Sequence, residues 1–235
     1  CGKCGVTPAG GEDDVLACRT PIMDDMKVHA GQAQIERAVH FPVVHPDSRF
    51  SAAVDIGTTT VKISLVDISR NISFEVASFL NPQRRFGHDV ISRIAAGSEP
   101  SNLKALQGLI RKAIAVRLGR ILKGVNLAEE KLDTIIFSGN TTMLYLLFGL
   151  DVEGLGRHPY PTRVRDFPGL PAGEIGLEGI ASAHASALPV LSAFIGADLV
   201  GALALCHDRG ITRNAFFIDM GTNGELFVLD GTGRP

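Results

Sequence analysis

Two stretches of this chain place an acid, a glycine and hydroxyl side chains in the same order: Asp55-Ile-Gly-Thr-Thr-Thr-Val-Lys62 and Asp219-Met-Gly-Thr-Asn-Gly-Glu-Leu226. Each follows an apolar run of strand character, Ser51–Val54 or Ala215–Ile218, and leads into a second, Val61–Val66 or Glu225–Leu229. Glycine has no Cβ, so a turn built on it lets backbone approach a ligand, and successive N–H groups there form an anion-binding concavity. Threonine hydroxyls add donors, and an aspartate holds a hydrated divalent cation. Two such hairpins facing one another would grip the phosphates of a nucleotide.

The second chemistry is thiolate chemistry. Cys1, Cys4 and Cys18 fall together at one end, and Cys206 stands alone far downstream. Cys1-Gly-Lys-Cys4 has the CxxC spacing of zinc sites, redox dithiols and iron–sulfur ligands. Gly5-Val-Thr-Pro-Ala-Gly-Gly11 after it reads as a turn, which disfavours a dithiol at the start of a helix. In plant-type 2Fe–2S ferredoxins a C-x4-C-x2-C run precedes a distant fourth cysteine. On that pattern Cys1 and Cys4 are the second and third ligands and Cys18 the last, the first lying before Cys1. Zinc is the alternative. Cys206, in an apolar helical stretch, reads as a small buried residue.

The elements that position these groups alternate. Residues 1–30 form the cysteine segment and residues 31–50 read as a linker, where His40 and His45 are solvated. Ser51–Asp55, Thr60–Asp67 and Ile72–Phe79 read as an antiparallel meander. Gly87–Ala96 and Asn102–Lys123 read as amphipathic helices, the second with Leu103, Leu106, Leu109 or Ile110, Ala113 or Ile114, Arg117 or Leu118, and Ile121 along one face. Asp133–Ser138 is a short buried strand, followed by Gly139-Asn-Thr-Thr-Met143 and a helix to about Phe148. Asn140 and its threonines suit either a ligand edge or a cap. Residues 151–190 are rich in proline and glycine and give no assignment. Ile195–Cys206 reads as a helix before the final strand pair. This layering is α/β with a mixed sheet.

Composition narrows the classes. The chain has 235 residues, 45% apolar and 20% charged, with a formal net charge of −2. Near-neutral charge gives no reason to expect a nucleic-acid or anionic-membrane surface. Apolar runs such as Met143–Leu150 fall short of the roughly 20 residues that span a bilayer. No secretory signal is visible, so the expected location is cytoplasmic. The chain begins inside a motif and ends at a turn, Gly231–Pro235, and reads as a fragment of a longer protein.

The motifs together resemble a family. The two hairpins look like the phosphate-1 and phosphate-2 segments of the acetate and sugar kinase/Hsp70/actin superfamily, a duplicated RNase H-like fold. Phe194-Ile-Gly-Ala-Asp-Leu-Val-Gly-Ala202 resembles its first connecting segment. Asn81-Pro-Gln-Arg-Arg-Phe-Gly-His-Asp-Val-Ile-Ser-Arg93 and Ser138-Gly-Asn-Thr-Thr-Met143 are similar to the ATP-dependent reductive activators of corrinoid proteins. Those carry a 2Fe–2S ferredoxin domain ahead of the ATPase.

The resemblance implies an RNase H-like (actin/Hsp70-type) first lobe over residues 51–235, preceded by the C-terminal part of a β-grasp ferredoxin-like domain. It implies ATP, Mg²⁺ and a 2Fe–2S cluster as cofactors. Its partners would be a corrinoid protein or corrinoid methyltransferase and an electron donor such as a ferredoxin or flavodoxin. Asp55 and Asp219 would orient Mg²⁺ through water. Gly57, Thr58, Thr59, Gly221, Thr222 and Asn223 would present donors to the phosphates, Asp219 or Glu225 would orient the attacking water, and Cys1, Cys4 and Cys18 would bind the cluster. The chain departs from the pattern in lacking the first cluster ligand and in the short stretch between Cys18 and Asp55. The adenosine motif and second lobe would follow Pro235, so this fragment alone is expected to bind ATP poorly.

Plainer readings stand beside these. Thr58–Thr60 suit a strand by propensity alone, Arg84, Arg85 and His88 suit a solvated loop, and Gly196 and Asp198 suit packing and capping. The competing functions are an iron–sulfur electron-transfer or redox-sensing protein with a vestigial ATPase-like fold, a small-molecule kinase, and an activator of another low-potential metalloenzyme.

Overall fold

The computed structural model describes residues 5–8, 15–16, 28–29, 44–220 and 224–230. The chain divides after Arg37 into two units. In the first, β1 (Gly5–Pro8) pairs antiparallel with both β2 (Val15–Leu16) and β3 (Val28–His29), giving the order β2-β1-β3. Cys1, Cys4 and Cys18 lie outside the described residues.

The second unit opens on the meander that the alternation predicted. β4 (Phe50–Ile56), β5 (Thr60–Asp67) and β6 (Ile72–Leu80) run antiparallel in sequence order. Along β4, residues Phe50, Ala52, Val54 and Ile56 are all buried, as the two-residue period of a strand requires. The stretch before β4, assigned to the linker by composition, is fastened to the sheet. Ser48 is buried and its hydroxyl donates to Asp67 at 2.8 Å, and Arg70 reaches Asp47 at 2.8 Å. His45 is exposed, as expected.

Two helices follow, α1 (Val90–Gly97) and α2 (Pro100–Gly124). The side chain and backbone of Asp89 and Ser92 cap α1 reciprocally. A proline opens α2, where its missing N–H goes unneeded. The predicted stripe of α2 is the buried one, with Leu106, Ile110, Ile114 and Leu118 at 0% exposure. β7 (Leu132–Gly139) then pairs parallel to β4, α3 (Thr141–Phe148) is almost wholly buried, and Gly149 closes it in the left-handed conformation.

The proline-rich stretch resolves into a short 3-10 turn, Glu153–Gly156, and two strands, β8 (Phe167–Pro171) and β9 (His184–Ala187). β9 runs parallel to β7 and antiparallel to β8, completing a six-stranded mixed sheet in the order β6-β5-β4-β7-β9-β8. α4 (Ala197–Asp208) begins two residues later than the apolar pattern suggested. β10 (Ala215–Met220) and β11 (Gly224–Leu229) pair antiparallel as a separate two-stranded sheet. The sequence reading gathers both hairpins into one lobe, yet only the first belongs to the six-stranded sheet. The second rests on α4, through Leu199, Phe227 and Leu229 with Phe217 and a half-buried Cys206 against them.

Candidate functional site

The first hairpin turns at Gly57-Thr58-Thr59 between β4 and β5. Gly57 N–H donates to Thr60 O at 3.1 Å, and a Cβ at Gly57 would stand 2.6 Å from that same oxygen, so no larger residue fits. Thr58 is buried at 4% exposure and Thr59 is exposed.

Three residues from other elements hold this turn. The Asn81 side-chain amide donates to Gly57 O at 2.9 Å, and its backbone N–H donates to Thr59 O at 2.9 Å. Arg93 Nη2 donates to Thr58 O at 2.6 Å. Asn140 Nδ2 donates to Thr58 Oγ1 at 3.0 Å, while its Oδ1 accepts from Met143 N–H at 3.0 Å and so caps α3. Asn140 is therefore the cap that one reading of its position gave, and it also fastens the turn.

The end of β7 brings a third piece of backbone to the same place. Ile56 pairs with Gly139, and a Cβ on Gly196 would lie 2.5 Å from Asn140 Cα and 2.7 Å from Gly139 O. Thr141 Oγ1 also donates to Ser192 O at 2.5 Å. These contacts lay the N-terminus of α4, with Asp198 in its first turn, against the end of β7 and the start of α3.

The second hairpin sets Asp219 directly opposite Glu225. Gly221, Thr222 and Asn223 lie outside the described residues. Electrostatics tie the acids into one group. Asp55 is exposed at its edge, yet the surrounding protein desolvates its carboxyl and raises its pKa. Lys62 opposes the rise, and the charges of Asp198 and Asp219 add to it. Burial likewise raises Asp198, against the hydrogen bond from Leu199 N–H, with the Asp219 charge adding to the rise. Burial and then the charges of Asp198 and Asp219 raise Glu225. Like charges nearby favour the protonated forms of Asp55, Asp198 and Glu225.

The charges of Asp198 and Asp219 thus reach both Asp55, which precedes the Gly57–Thr59 turn, and Glu225 on β11. Among the described residues no three His, Cys, Asp or Glu side chains stand close enough to ligate a metal directly. Asp198 is the member that sequence reasoning set aside as a cap. The missed signal was its place in Gly196-Ala-Asp198, since a glycine forced by backbone contact brings the next acid with it. A separate cleft of 200 Å³ opens beside Tyr145, Arg157 and Arg163, and none of the predicted site residues lines it.

Comparison with known proteins fits this geometry. Residues 50–208 match the family model described as the RACo middle region. This chain belongs to that family. Corrinoid activation enzyme RamQ of Eubacterium limosum is 32% identical over 181 residues, which is 76% of this chain and 30% of RamQ. A solved structure of a reductive activator for a corrinoid, iron–sulfur protein superposes with a TM-score of 0.73 at 28% identity, covering 80% of this chain and 30% of that one. The chain thus spans under a third of the length of these relatives. The RACo middle-region match includes the first hairpin, α1–α4 and Asp198, and ends before β10. No helix among the described residues is long and apolar enough to cross a membrane.

Proposed function

We propose that this chain is the nucleotide-binding part of an ATP-dependent reductive activator, which passes one electron from a 2Fe–2S cluster to cob(II)alamin on a partner corrinoid protein. The observation that carries the reading is the convergence of Asp55, Asp198, Asp219 and Glu225, drawn from two Asp-x-Gly-Thr hairpins and the helix between them. RamQ and the superposed reductive activator support the corrinoid half of the reading.

The residues present fit a magnesium nucleotide. Acids that repel one another are relieved by a divalent cation, which aspartates can hold through water. Asp55 and Asp219, with Asp198 within electrostatic reach of both, would hold it; bound there, it would neutralise phosphate charge. Gly57, Thr58 and Thr59 would meet the phosphates on one side, and Gly221, Thr222 and Asn223 on the other. Catalysis is then positioning and electrostatic stabilisation. Glu225, whose proton affinity is raised, suits the carboxylate that orients the attacking water and takes its proton, with Asp219 opposite.

Cys1, Cys4 and Cys18 would hold the cluster, which when bound supplies the electron. One electron supplied there would reduce cob(II)alamin on the partner to cob(I)alamin. That transfer is uphill, and ATP drives it only if the nucleotide-bound and nucleotide-free states differ in affinity for the partner. A ferredoxin or flavodoxin would restore the reduced cluster. The test is the absorbance of cob(I)alamin, formed on a corrinoid protein by the full-length protein with a reductant. ATP-dependent appearance supports the reading, and a rate indifferent to ATP contradicts it.

A further inference from the structure

The segment Asn81–Arg93 has two faces. Arg84, Arg85 and His88 are exposed, as expected of a solvated loop, whereas Asn81, Gln83 and Arg93 are at 0% exposure. Arg93 is held by neutral acceptors. Its Nε donates to Gly87 O at 3.0 Å, its Nη2 to Thr58 O at 2.6 Å and its Nη1 to Met143 Sδ at 3.1 Å. Among the described residues it forms no ion pair. Burial pulls its pKa down to about 10, against the opposing charge of Asp89, so it keeps its proton at neutral pH. A charge buried on neutral acceptors is expensive, and an apolar side chain of like volume fills a core better. Core stability does not explain Arg93.

Peptide geometry does. A trans peptide is planar, with C=O and N–H pointing in opposite directions. Arg93 draws the Thr58 carbonyl inward, so the Thr59 N–H points the other way. Asn81 draws the Gly57 carbonyl inward, and the Thr58 N–H likewise points away from Asn81. The same asparagine also takes the Thr59 carbonyl. All three carbonyls of the turn are thereby held on the protein side, where they cannot repel an anion.

We propose that Arg93 is a positioning residue of the nucleotide site: from behind the Gly57–Thr59 turn it fixes the peptide planes that aim N–H groups at the phosphates, and its buried charge attracts them through the turn. The inference rests on the nucleotide reading above. In an interior of low dielectric such an attraction acts without contact.

The experiment compares full-length protein with Arg93→Met and Arg93→Lys in steady-state ATP hydrolysis. Losing a buried charge-assisted hydrogen bond raises the ATP KM of Arg93→Met about tenfold or more, with a smaller change in kcat. Arg93→Lys, which keeps the charge, recovers part of the loss. A KM unchanged in Arg93→Met, with activity lost only in proportion to folded protein, overturns the inference while leaving the nucleotide reading intact. A wild-type protein that neither binds nor hydrolyses ATP overturns both. Should neither variant fold, the nuclear magnetic resonance signal of Arg93 Nε in the wild type decides. Its displacement on adding ATP supports the inference, and an unmoved signal overturns it.

Discussion

Asp55 and Asp219 head two turns on separate sheets, yet the charge of Asp219 contributes to the raised pKa of Asp55, after burial, the opposing Lys62 and the charge of Asp198. The two hairpins and α4 are therefore coupled electrostatically.

The sign of the pH dependence follows. Asp55, Asp198 and Glu225 bind protons more readily folded than unfolded. Their contribution to stability is most favourable at low pH. It is lost as pH rises from the ordinary values, 3.8 for aspartate and 4.5 for glutamate, through the raised ones. As these carboxyls ionise with rising pH their repulsion opposes folding, and a bound cation would offset it. Denaturant titrations should show a larger stabilisation by magnesium and ATP at about pH 7.5 than at about pH 5, where protons compete for the same oxygens.

Gly196→Ala and Gly108→Ala should act in opposite directions. A Cβ at residue 196 meets the backbone of Asn140 and Gly139, which cannot yield, and the carboxylate of Asp198, which can. We expect a loss of about 1–3 kcal/mol in stability and a displaced Asp198. Gly108 lies inside α2 with nothing within 4 Å of a new Cβ, and alanine there should add about 0.5–1 kcal/mol. Thermal melts of the two variants check both.

Asn140→Asp separates the two duties of Asn140. The carboxylate still accepts from Met143 N–H and keeps the cap, but it has no amide to donate to Thr58 Oγ1. The melting temperature should stay near that of the wild type while ATP affinity falls about tenfold, because a negative charge also faces the phosphates. Asn140→Ala should lose stability as well, by about 1 kcal/mol.

The thiolate half is tested by electron paramagnetic resonance of the reduced full-length protein. A 2Fe–2S signal that disappears in Cys4→Ser is the expected outcome. A spectrum without that signal in the wild type removes the cluster from the account.

Much of the fold was legible because its signals are local. The meander, the stripe of α2 and both hairpins follow from two-residue and helical periods with glycine turns between them. β8 and β9 were not, since Phe167–Pro171 and His184–Ala187 are short and embedded in glycine and proline, and only pairing makes them strands. The site was half legible. Asp55 and the Gly57–Thr59 turn announced themselves by motif, and so did Asp219. Asp198, Asn81 and Arg93 are placed by contacts across distant parts of the sequence, and no local pattern around Arg93 marks it as buried. Its burial depends on Gly87, Thr58 and Met143, which no spacing rule brings together.

The most direct test of a single site spanning both hairpins is a double-mutant cycle on ATP hydrolysis, using Asp55→Asn, Asp219→Asn and the double variant of the full-length protein. Groups that act as a unit give non-additive losses. The account predicts that each single variant loses most of the activity and that the double variant loses little more. Losses that simply add, or a single variant with wild-type activity, would contradict it.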